Sequence, residues 1–598
     1  MKKISKSSAL KWTFIAIASA ATAHAGAQVT VTVRADLAPL NHTDKTTYGS
    51  GFDYFNADMR VMFTDVYGNG TSANAQKSYD MLKSVNLGMY RFPGGDPSFW
   101  YRWDKPCGSA VATQGQCAEY MSMADIQNNF VATTSTSKRA PLGAKAMYQI
   151  NTVQGWLDDS AGKTTWKTSY QKTDWFDTAS NTWKSQPNKD PNTGLYAIDD
   201  VGLAQIAQVA YNWVKANRAL PTAQQAKYWE IGNEDWVRWT PEQYAKIFSV
   251  VTKKMIEANG NSIAANGTNA PLYLVAQTTT LARNYAAQPG PSSNLAINQT
   301  AGTSFVYKFV NELQRLGFDL KQAYGVAVHP YINGNLSPSI DARTSTMFAK
   351  IDSRYGEVPT TMVLLSNVNG MMGTNWKALV TEYNVQELQN DTNGNVIPVE
   401  NKSHAVILAD WSASMLARGV DKVLPHSLGS DPRTALFMYR NINTNGTDNL
   451  NAPVMMTTGA AFARVASALQ GNLYPVENTA PTVGGIAGLS NYAAVSDDGK
   501  TLNILLVNRN LTQPQTVSLK LAGNKTLKLG GYLSRSAFGE TNVLSDNNFT
   551  GNVNWGTPTS TQYGQTCTIV SGQPRTCAVS GTITVPAGSM VHLQAPLQ

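Results

Sequence analysis

The sequence predicts an α/β chain, a (β/α)8 barrel followed by an all-β sandwich. Three observations lead there. Between Thr47 and Leu469, short apolar strands alternate with amphipathic helical stretches, the pattern of a parallel sheet wrapped by helices. After Gly471 the long helices stop, and short strands separated by turn signals take over. Several strands of the first part end in polar or charged tips, and the C-terminal ends of barrel strands are where this fold builds its sites.

The chain opens on a targeting pattern. Lys2, Lys3, Lys6 and Lys11 precede an apolar run from Thr13 to Ala23, and Ala23-His24-Ala25 reads as a cleavage site. Residues 1–25 are therefore expected to be a signal peptide, with a secreted or periplasmic mature chain. The run is too short to span a bilayer, and no later segment approaches ~20 apolar residues, so no membrane partner is expected after its removal. Val29 to Val33 alternates Val with Thr and reads as a strand. Residues 26–45 then form an N-terminal piece whose candidate partner is the β domain.

The barrel is expected over residues 46–471. Its candidate strands are Thr47–Phe52, Leu87–Phe92, Lys145–Asn151, Tyr228–Gly232, Leu272–Gln277, Ala323–His329, Trp376–Thr381 and Asp421–Leu428. Candidate helices are Ala73–Val85, Asp199–Arg218, Thr240–Glu257, Ser304–Leu316, His404–Arg418 and Thr457–Leu469. In the second, Ile206, Val209, Ala210 and Trp213 recur at helical spacing. The third starts on an N-cap Thr with Pro at the first position. The sandwich is expected over residues 472–598, with strands at Leu489–Val495, Thr501–Asn508, Gln515–Leu521, Lys525–Leu533 and Gly581–Val585. Asp497-Asp498-Gly499-Lys500 reads as a hairpin turn.

Composition narrows the function classes. With 15% charged and 42% hydrophobic residues, the chain is an ordinary globular one. A formal charge of +8 is mild for 598 residues, and the Lys and Arg residues are scattered, so no nucleic-acid partner is expected. Four cysteines allow three pairings. Local pairing, Cys107 with Cys117 and Cys567 with Cys577, is the most economical and suits an oxidising compartment. A metal site is the alternative, but C-x-x-C spacing and neighbouring histidines are missing. No Walker loop, H-E-x-x-H or G-x-S-x-G elbow occurs in a fitting context. No metal or organic cofactor is expected.

Chemistry concentrates in two stretches. Tyr228-Trp229-Glu230-Ile231-Gly232-Asn233-Glu234-Asp235-Trp236 is a strand that ends in a polar tip, with Gly232 allowing close approach. Lys377-Ala378-Leu379-Val380-Thr381-Glu382-Tyr383-Asn384 is a second apolar strand with a glutamate at its end. Two carboxylates on two strands are what sugar hydrolysis uses. A retaining enzyme holds them about 5–5.5 Å apart, one as nucleophile and one as acid/base.

Trp229-Glu230-Ile231-Gly232-Asn233-Glu234, with Tyr90-Arg91-Phe92-Pro93-Gly94-Gly95 upstream and Thr381-Glu382-Tyr383-Asn384 downstream, resembles the clan A retaining glycoside hydrolases. It is most similar to family 51, the α-L-arabinofuranosidase group. The likeness runs from about Tyr48 into the β domain, where Asn503-Ile504-Leu505-Leu506-Val507-Asn508-Arg509 is similar to a sandwich strand of that family. The resemblance implies that Glu234 is the general acid/base and Glu382 the nucleophile. It implies a carbohydrate polymer or oligosaccharide as substrate, with α-L-arabinofuranosyl groups first and β-linked glucan, xylan or uronic-acid-containing polymers as the alternative.

Around the two glutamates, Arg91 is the expected donor to Glu382, and Asn233 the partner of the sugar 2-hydroxyl. His329 and Tyr331 would orient Glu382 or touch the sugar. Trp229, Trp236 and Trp239 would desolvate Glu234 and raise its pKa. Each has a plainer reading. Arg91 could instead pair with Glu230, which shares Glu234's strand face, and His329 could be a core histidine. Asp235 reads as structural. Trp236 and Trp100 are candidate sugar contacts, as are one or two of Trp156, Trp166, Trp175 and Trp183 in the long segment after the third strand. His426 departs from the clan A pattern, in which an aromatic residue often stands at the end of the eighth strand. A non-catalytic carbohydrate-binding surface protein on the same fold is the second class of function.

Overall fold

A computed structural model describes residues 28–51, 73–95, 142–158, 198–237, 239–279, 304–333, 340–352, 357–386, 402–429, 454–483, 485–540 and 554–598. Shorter pieces are residues 98, 101, 103, 123–127, 131, 164–168, 176–177, 182–183, 281–282, 296–297, 388–390, 396–398, 435–438, 441–442 and 448–449. The expected signal peptide, Cys107, Cys117, Trp100 and Trp175 lie outside the described residues.

Eight parallel strands form the barrel: β1 Gly49–Gly51, β2 Met89–Phe92, β3 Lys145–Ile150, β4 Tyr228–Ile231, β5 Tyr273–Gln277, β6 Gly325–Val328, β7 Lys377–Gln386 and β8 Lys422–Pro425. They pair in chain order, and a parallel bridge from Tyr48 to Val423 closes the ring. The eight expected strands all lie here. The expected helices are present within a few residues of their expected bounds. The helix Pro241–Ala258 carries a full capping box between Thr240 and Gln243. Two further helices, Ile340–Asp352 and Glu357–Met372, fill the β6–β7 connection. The second mixes Pro359, Thr360, Thr361, Asn367 and Asn369 into its apolar run, which masks the 3.6-residue period.

Side-chain alternation sorts each strand into an outward and an inward set. Outward residues such as Trp229, Ile231, Tyr148 and Leu274 pack on the helices in the main core. Inward residues stack in layers. Tyr228, Tyr273 and Tyr324 cluster at the N-terminal end, with the Lys422 ammonium 5.0 Å from the Tyr228 ring. Above them Met89, Met147, Val275, Ala327, Leu379 and Leu424 make a wholly buried apolar plug. Two residues further along the same strands stand Arg91, Gln149, Gln277, His329, Thr381 and His426, so the lumen turns polar at its C-terminal mouth.

The sandwich consists of two sheets. In one, Val29–Arg34 lies parallel to Gln515–Ala522 and antiparallel to Val476–Asn478. Val29, Val31 and Val33 all face the core, as their alternation demands. The other sheet runs Asn41–Thr43, Gly471–Tyr474, Leu489–Val495, Thr501–Asn508, Met590–Pro596, Tyr532–Phe538, Thr559–Gln562. The expected turn at Gly499 is present, with Gly499 N–H donating to Ser496 O at 2.8 Å. The expected strand Lys525–Leu533 is displaced. Residues 528–531 form a turn, with Gly530 at φ 71°, and the strand begins at Tyr532. Cys567 and Cys577 stand opposite each other on adjacent strands and are disulfide-bonded.

Barrel and sandwich share a polar seam. Asp410, buried on the helix Lys402–Ala417, accepts from Arg509 Nε at 2.8 Å, Tyr492 Oη at 2.7 Å and Ser490 Oγ at 3.3 Å. Among the described residues no helix is long and apolar enough to cross a membrane.

Candidate active site

The two glutamates reach the mouth by different local devices. On β4, Glu230 points into the lumen, and the chain then turns sharply. Gly232 has φ 91°, and a Cβ there would overlap Asp235 Oδ2. Asp235 is itself fixed by Thr152 Oγ1 at 3.0 Å. The turn leaves Glu234 at φ 47°, a left-handed conformation that non-glycine residues seldom take and that recurs at functional sites. Gln277 Oε1 accepts from its backbone N–H at 3.3 Å. On β7, the pairing with β8 shifts register between Val380 and Tyr383. Such a bulge re-aims side chains. It lets Thr381 and Glu382, neighbours in sequence, both reach the central cluster.

One oxygen from each of Glu234 and Glu382, and one nitrogen of His329, all lie within 4.8 Å of one another. Their surroundings differ. Glu234's side chain is 34% exposed and Glu382's 10%. His329 Nδ1 stands 3.2 Å from Glu234 Oε1 and 3.6 Å from Glu382 Oε2. Glu382 Oε2 accepts from Arg91 Nη1 at 3.2 Å, and Oε1 accepts from the Tyr331 hydroxyl at 2.5 Å. His426 Nδ1 stands 3.8 Å from the same Oε1. Burial alone would raise the Glu382 pKa. The positive charge of His426, then of His329 and Arg91, and the Tyr331 hydrogen bond outweigh it and hold the carboxyl down at about 2. Burial, with the Glu382 charge beside it, pushes the Tyr331 phenol well up, so it remains a donor.

Arg91 joins the two alternatives read from its sequence position. Its Nε donates to Glu230 Oε2 at 2.5 Å, its Nη1 to Glu382, and its Nη2 to Asn233 Oδ1 at 2.8 Å. Glu230, wholly buried, also accepts from Thr381 Oγ1 at 2.5 Å and from Gln277 Nε2. Thr381 in turn meets His329 Nε2 at 3.1 Å. Two further donors, Arg91 Nη2 at 3.3 Å and Gln277 Nε2 at 3.5 Å, face the same Nε2, while Nδ1 faces Glu234 Oε1. His329 is thus buried and inside the site at once.

Of the residues singled out from the sequence, Arg91, Asn233, Glu234, His329, Tyr331, Trp236 and Glu382 come together. Trp236 is buried, with its ring edge-on to His329 at 5.2 Å between centroids. Trp229 does not flank Glu234. Its ring faces outward against Trp213 and Tyr148, because it is one residue out of phase with the inward Glu230. Sequence reasoning passed over Gln149, Gln277 and Thr381. Their signal is a polar residue two positions after an apolar one, repeated near the C-terminal end of successive strands. The compact Glu234–His329–Glu382 group has the proximity that two-carboxylate hydrolysis needs, and we assign no ion to it.

No family model matches the sequence, and no curated protein matches it significantly. The fold has many solved counterparts. A family 51 α-L-arabinofuranosidase from Bifidobacterium longum superposes with a TM-score of 0.59 at 15% identity, covering 95% of this chain and 99% of that one. The chain shares that enzyme's fold. A bifunctional glucanase-xylanase from a metagenome library superposes at 0.55 with 16% identity, covering 96% and 99%. A Paenibacillus polymyxa xyloglucanase of family 44 superposes at 0.52 with 12% identity, covering 95% and 99%. The architecture common to these is the barrel with its β domain, the same layout as in clan A glycoside hydrolases.

Proposed function

We propose that the chain is an exported retaining glycoside hydrolase in which Glu382 is the nucleophile and Glu234 the general acid/base. The observation that carries this reading is the pair of carboxylates across the barrel mouth. One oxygen of each lies within 4.8 Å of the other, a spacing that suits direct attack better than the roughly 6.5–9.5 Å carboxyl separation that leaves room for water in an inverting enzyme. The asymmetry of their surroundings supports this division of roles. Glu382, held ionised by Arg91, His329, His426 and Tyr331, attacks the anomeric carbon. Glu234, beside His329 and more open to solvent, protonates the departing glycosidic oxygen as that bond breaks. In the second half, Glu234 takes a proton from water, the water oxygen bonds to the anomeric carbon, and Glu382 leaves.

Asn233 Oδ1 accepts from Arg91 Nη2 at 2.8 Å and from Gln149 Nε2 at 3.4 Å, which supports a role for its amide NH2 as donor to the sugar 2-hydroxyl. Export is supported by the N-terminal pattern of residues 1–25 and by the Cys567–Cys577 disulfide. For substrate, terminal α-L-arabinofuranosyl groups come first, on the sequence resemblance. A second reading, internal or terminal cleavage of a β-linked glycan, has its own support. Two antiparallel hairpins, Gln154–Asp158 with Thr164–Thr168 and Phe176–Asp177 with Thr182–Trp183, follow β3. Loops after barrel strands stand on the active face, and such walls suit a cleft more than a pocket.

The test is hydrolysis of a panel of aryl glycosides and polysaccharides by wild type and Glu382→Ala. Turnover that the variant loses, with azide restoring it and giving the glycosyl azide of inverted configuration, is the expected result. Wild-type activity in Glu382→Ala would sink the assignment of the nucleophile. A wild type that binds oligosaccharides but never turns them over would favour the binding-protein class.

A further inference from the structure

The surroundings of Glu382 contain more negative charge than Arg91 can offset. The guanidinium is shared. Nε is engaged by Glu230 at 2.5 Å, and only Nη1, at 3.2 Å, reaches Glu382. Arg91 and His329 both face the same oxygen of Glu382, Oε2. The other oxygen, Oε1, meets the neutral Tyr331 hydroxyl and the His426 ring.

We propose that His426 is a positioning residue of this site, supplying as imidazolium the positive charge on the Oε1 side that holds Glu382 ionised and aimed at the substrate. The inference rests on the reading of Glu382 as nucleophile and adds a residue and a charge to it. Its geometry is that of a fixed, partly wetted base. The His426 backbone N–H donates to Tyr383 O at 2.9 Å, and its carbonyl accepts from Asn384 Nδ2 at 2.5 Å. Asn384 is itself held through Oδ1 by His404 Nε2 at 2.9 Å. The ring is 17% exposed, enough to exchange protons with solvent at the mouth.

Among the described residues, the charged and titratable groups facing the ring include Glu382 and, beyond it, Arg91 from β2, Glu234 from the β4 turn, and His329 and Tyr331 from the β6 end. A full opposite charge at this separation moves a carboxylate pKa by about one unit or more. His426 ranks first among the charges that lower Glu382. When Glu382 becomes the ester of the glycosyl-enzyme, its charge disappears and the imidazolium loses its counterion. The same proton then favours Glu382 as a leaving group in the second step.

Reciprocity supplies a test that needs no substrate. If His426 stabilises ionised Glu382, ionised Glu382 stabilises protonated His426 by the same free energy. Histidines labelled with 13C at Cε1 are titrated by NMR in wild type and in the isosteric Glu382→Gln, with His426 assigned by its loss in His426→Gln. The His426 midpoint is expected to fall by about one unit or more in Glu382→Gln, while His42, in the sandwich, stays put. An unmoved His426 midpoint overturns the proposal whatever the substrate proves to be.

On the panel substrate, His426→Gln should move the acid limb of kcat/KM upward by about one unit. A purely structural role would lower kcat/KM at all pH values without moving that limb, and that result also overturns the proposal. Failure of the hydrolase reading would show separately, as an absence of turnover with the NMR coupling intact.

Discussion

Arg91 and Glu230 form an ion pair, 2.5 Å from Nε to Oε2, that solvent does not reach from either side. It stands directly above the apolar plug and beneath the catalytic mouth. The pair sets the height and rotation of the guanidinium that then meets Glu382 and Asn233. Glu230→Gln would leave a buried guanidinium short of charge, so it should cost about 3 kcal/mol or more of stability. Denaturant unfolding checks this. The same variant should lower kcat more than it raises KM, because what it disturbs is the aim of Glu382, the proposed nucleophile.

Tyr331 donates to an ionised acceptor, a class of hydrogen bond worth about 1.5–3 kcal/mol. Tyr331→Phe should therefore reduce kcat/KM by roughly 10–100-fold with the fold intact. The sign of the pH effect follows from what is removed. The hydroxyl lowers the Glu382 pKa, so its loss raises that pKa from about 2, and activity in the variant should fail at a higher pH than in wild type. A pH profile of both proteins reads the difference.

His592 gives the sandwich an acid-sensitive point. Burial, then Arg464 at 3.2 Å, pushes its pKa down to about 4. Free histidine titrates near 6.5. Between those values the unfolded chain binds a proton that the folded one refuses. Stability should therefore fall as pH drops from about 6.5 to about 4, by roughly 3 kcal/mol, and then level off. His592→Gln should flatten that slope in unfolding curves taken across the window.

The Asp410–Arg509 pair joins a barrel helix to a sandwich strand with 2% or less of either side chain exposed. Asp410→Asn leaves the guanidinium buried without its charge partner, a loss of about 3–5 kcal/mol. Calorimetry should then resolve two transitions where wild type shows one. A single transition at the wild-type temperature would mean that the seam does not couple the domains.

Much of this was legible in the sequence, for a physical reason. Strands buried on both faces must be apolar runs, and helices that cover them must be amphipathic, so β1–β8 and their main helices showed through. Glu234 and Glu382 were legible because charges at the ends of apolar strands are costly unless used. The inward alternation of Arg91, Gln149, Glu230, Gln277 and His329 was also written there, but as single polar letters in different strands. Only closure of the barrel makes them neighbours. Trp229 was misplaced because nearness in sequence is not nearness in space when adjacent strand residues face opposite ways. The bulge that turns Glu382 into the lumen has no sequence mark at all, since it is a register shift against β8.

The placement of Val29–Arg34 between Val476–Asn478 and Gln515–Ala522 means that the sandwich is assembled from segments on both sides of the barrel. A ribosome or an export channel delivers that first strand long before its neighbours exist. The barrel can close on its own segment while the strand waits, and the last strands to arrive must fit around it. A gene fragment that begins at Gly471 would lack this strand and leave two unpaired edges in the middle of a sheet. The C-terminal part is therefore a poor unit for separate expression or transplantation, and the barrel is in effect a long insertion into a domain that starts before it and finishes after it.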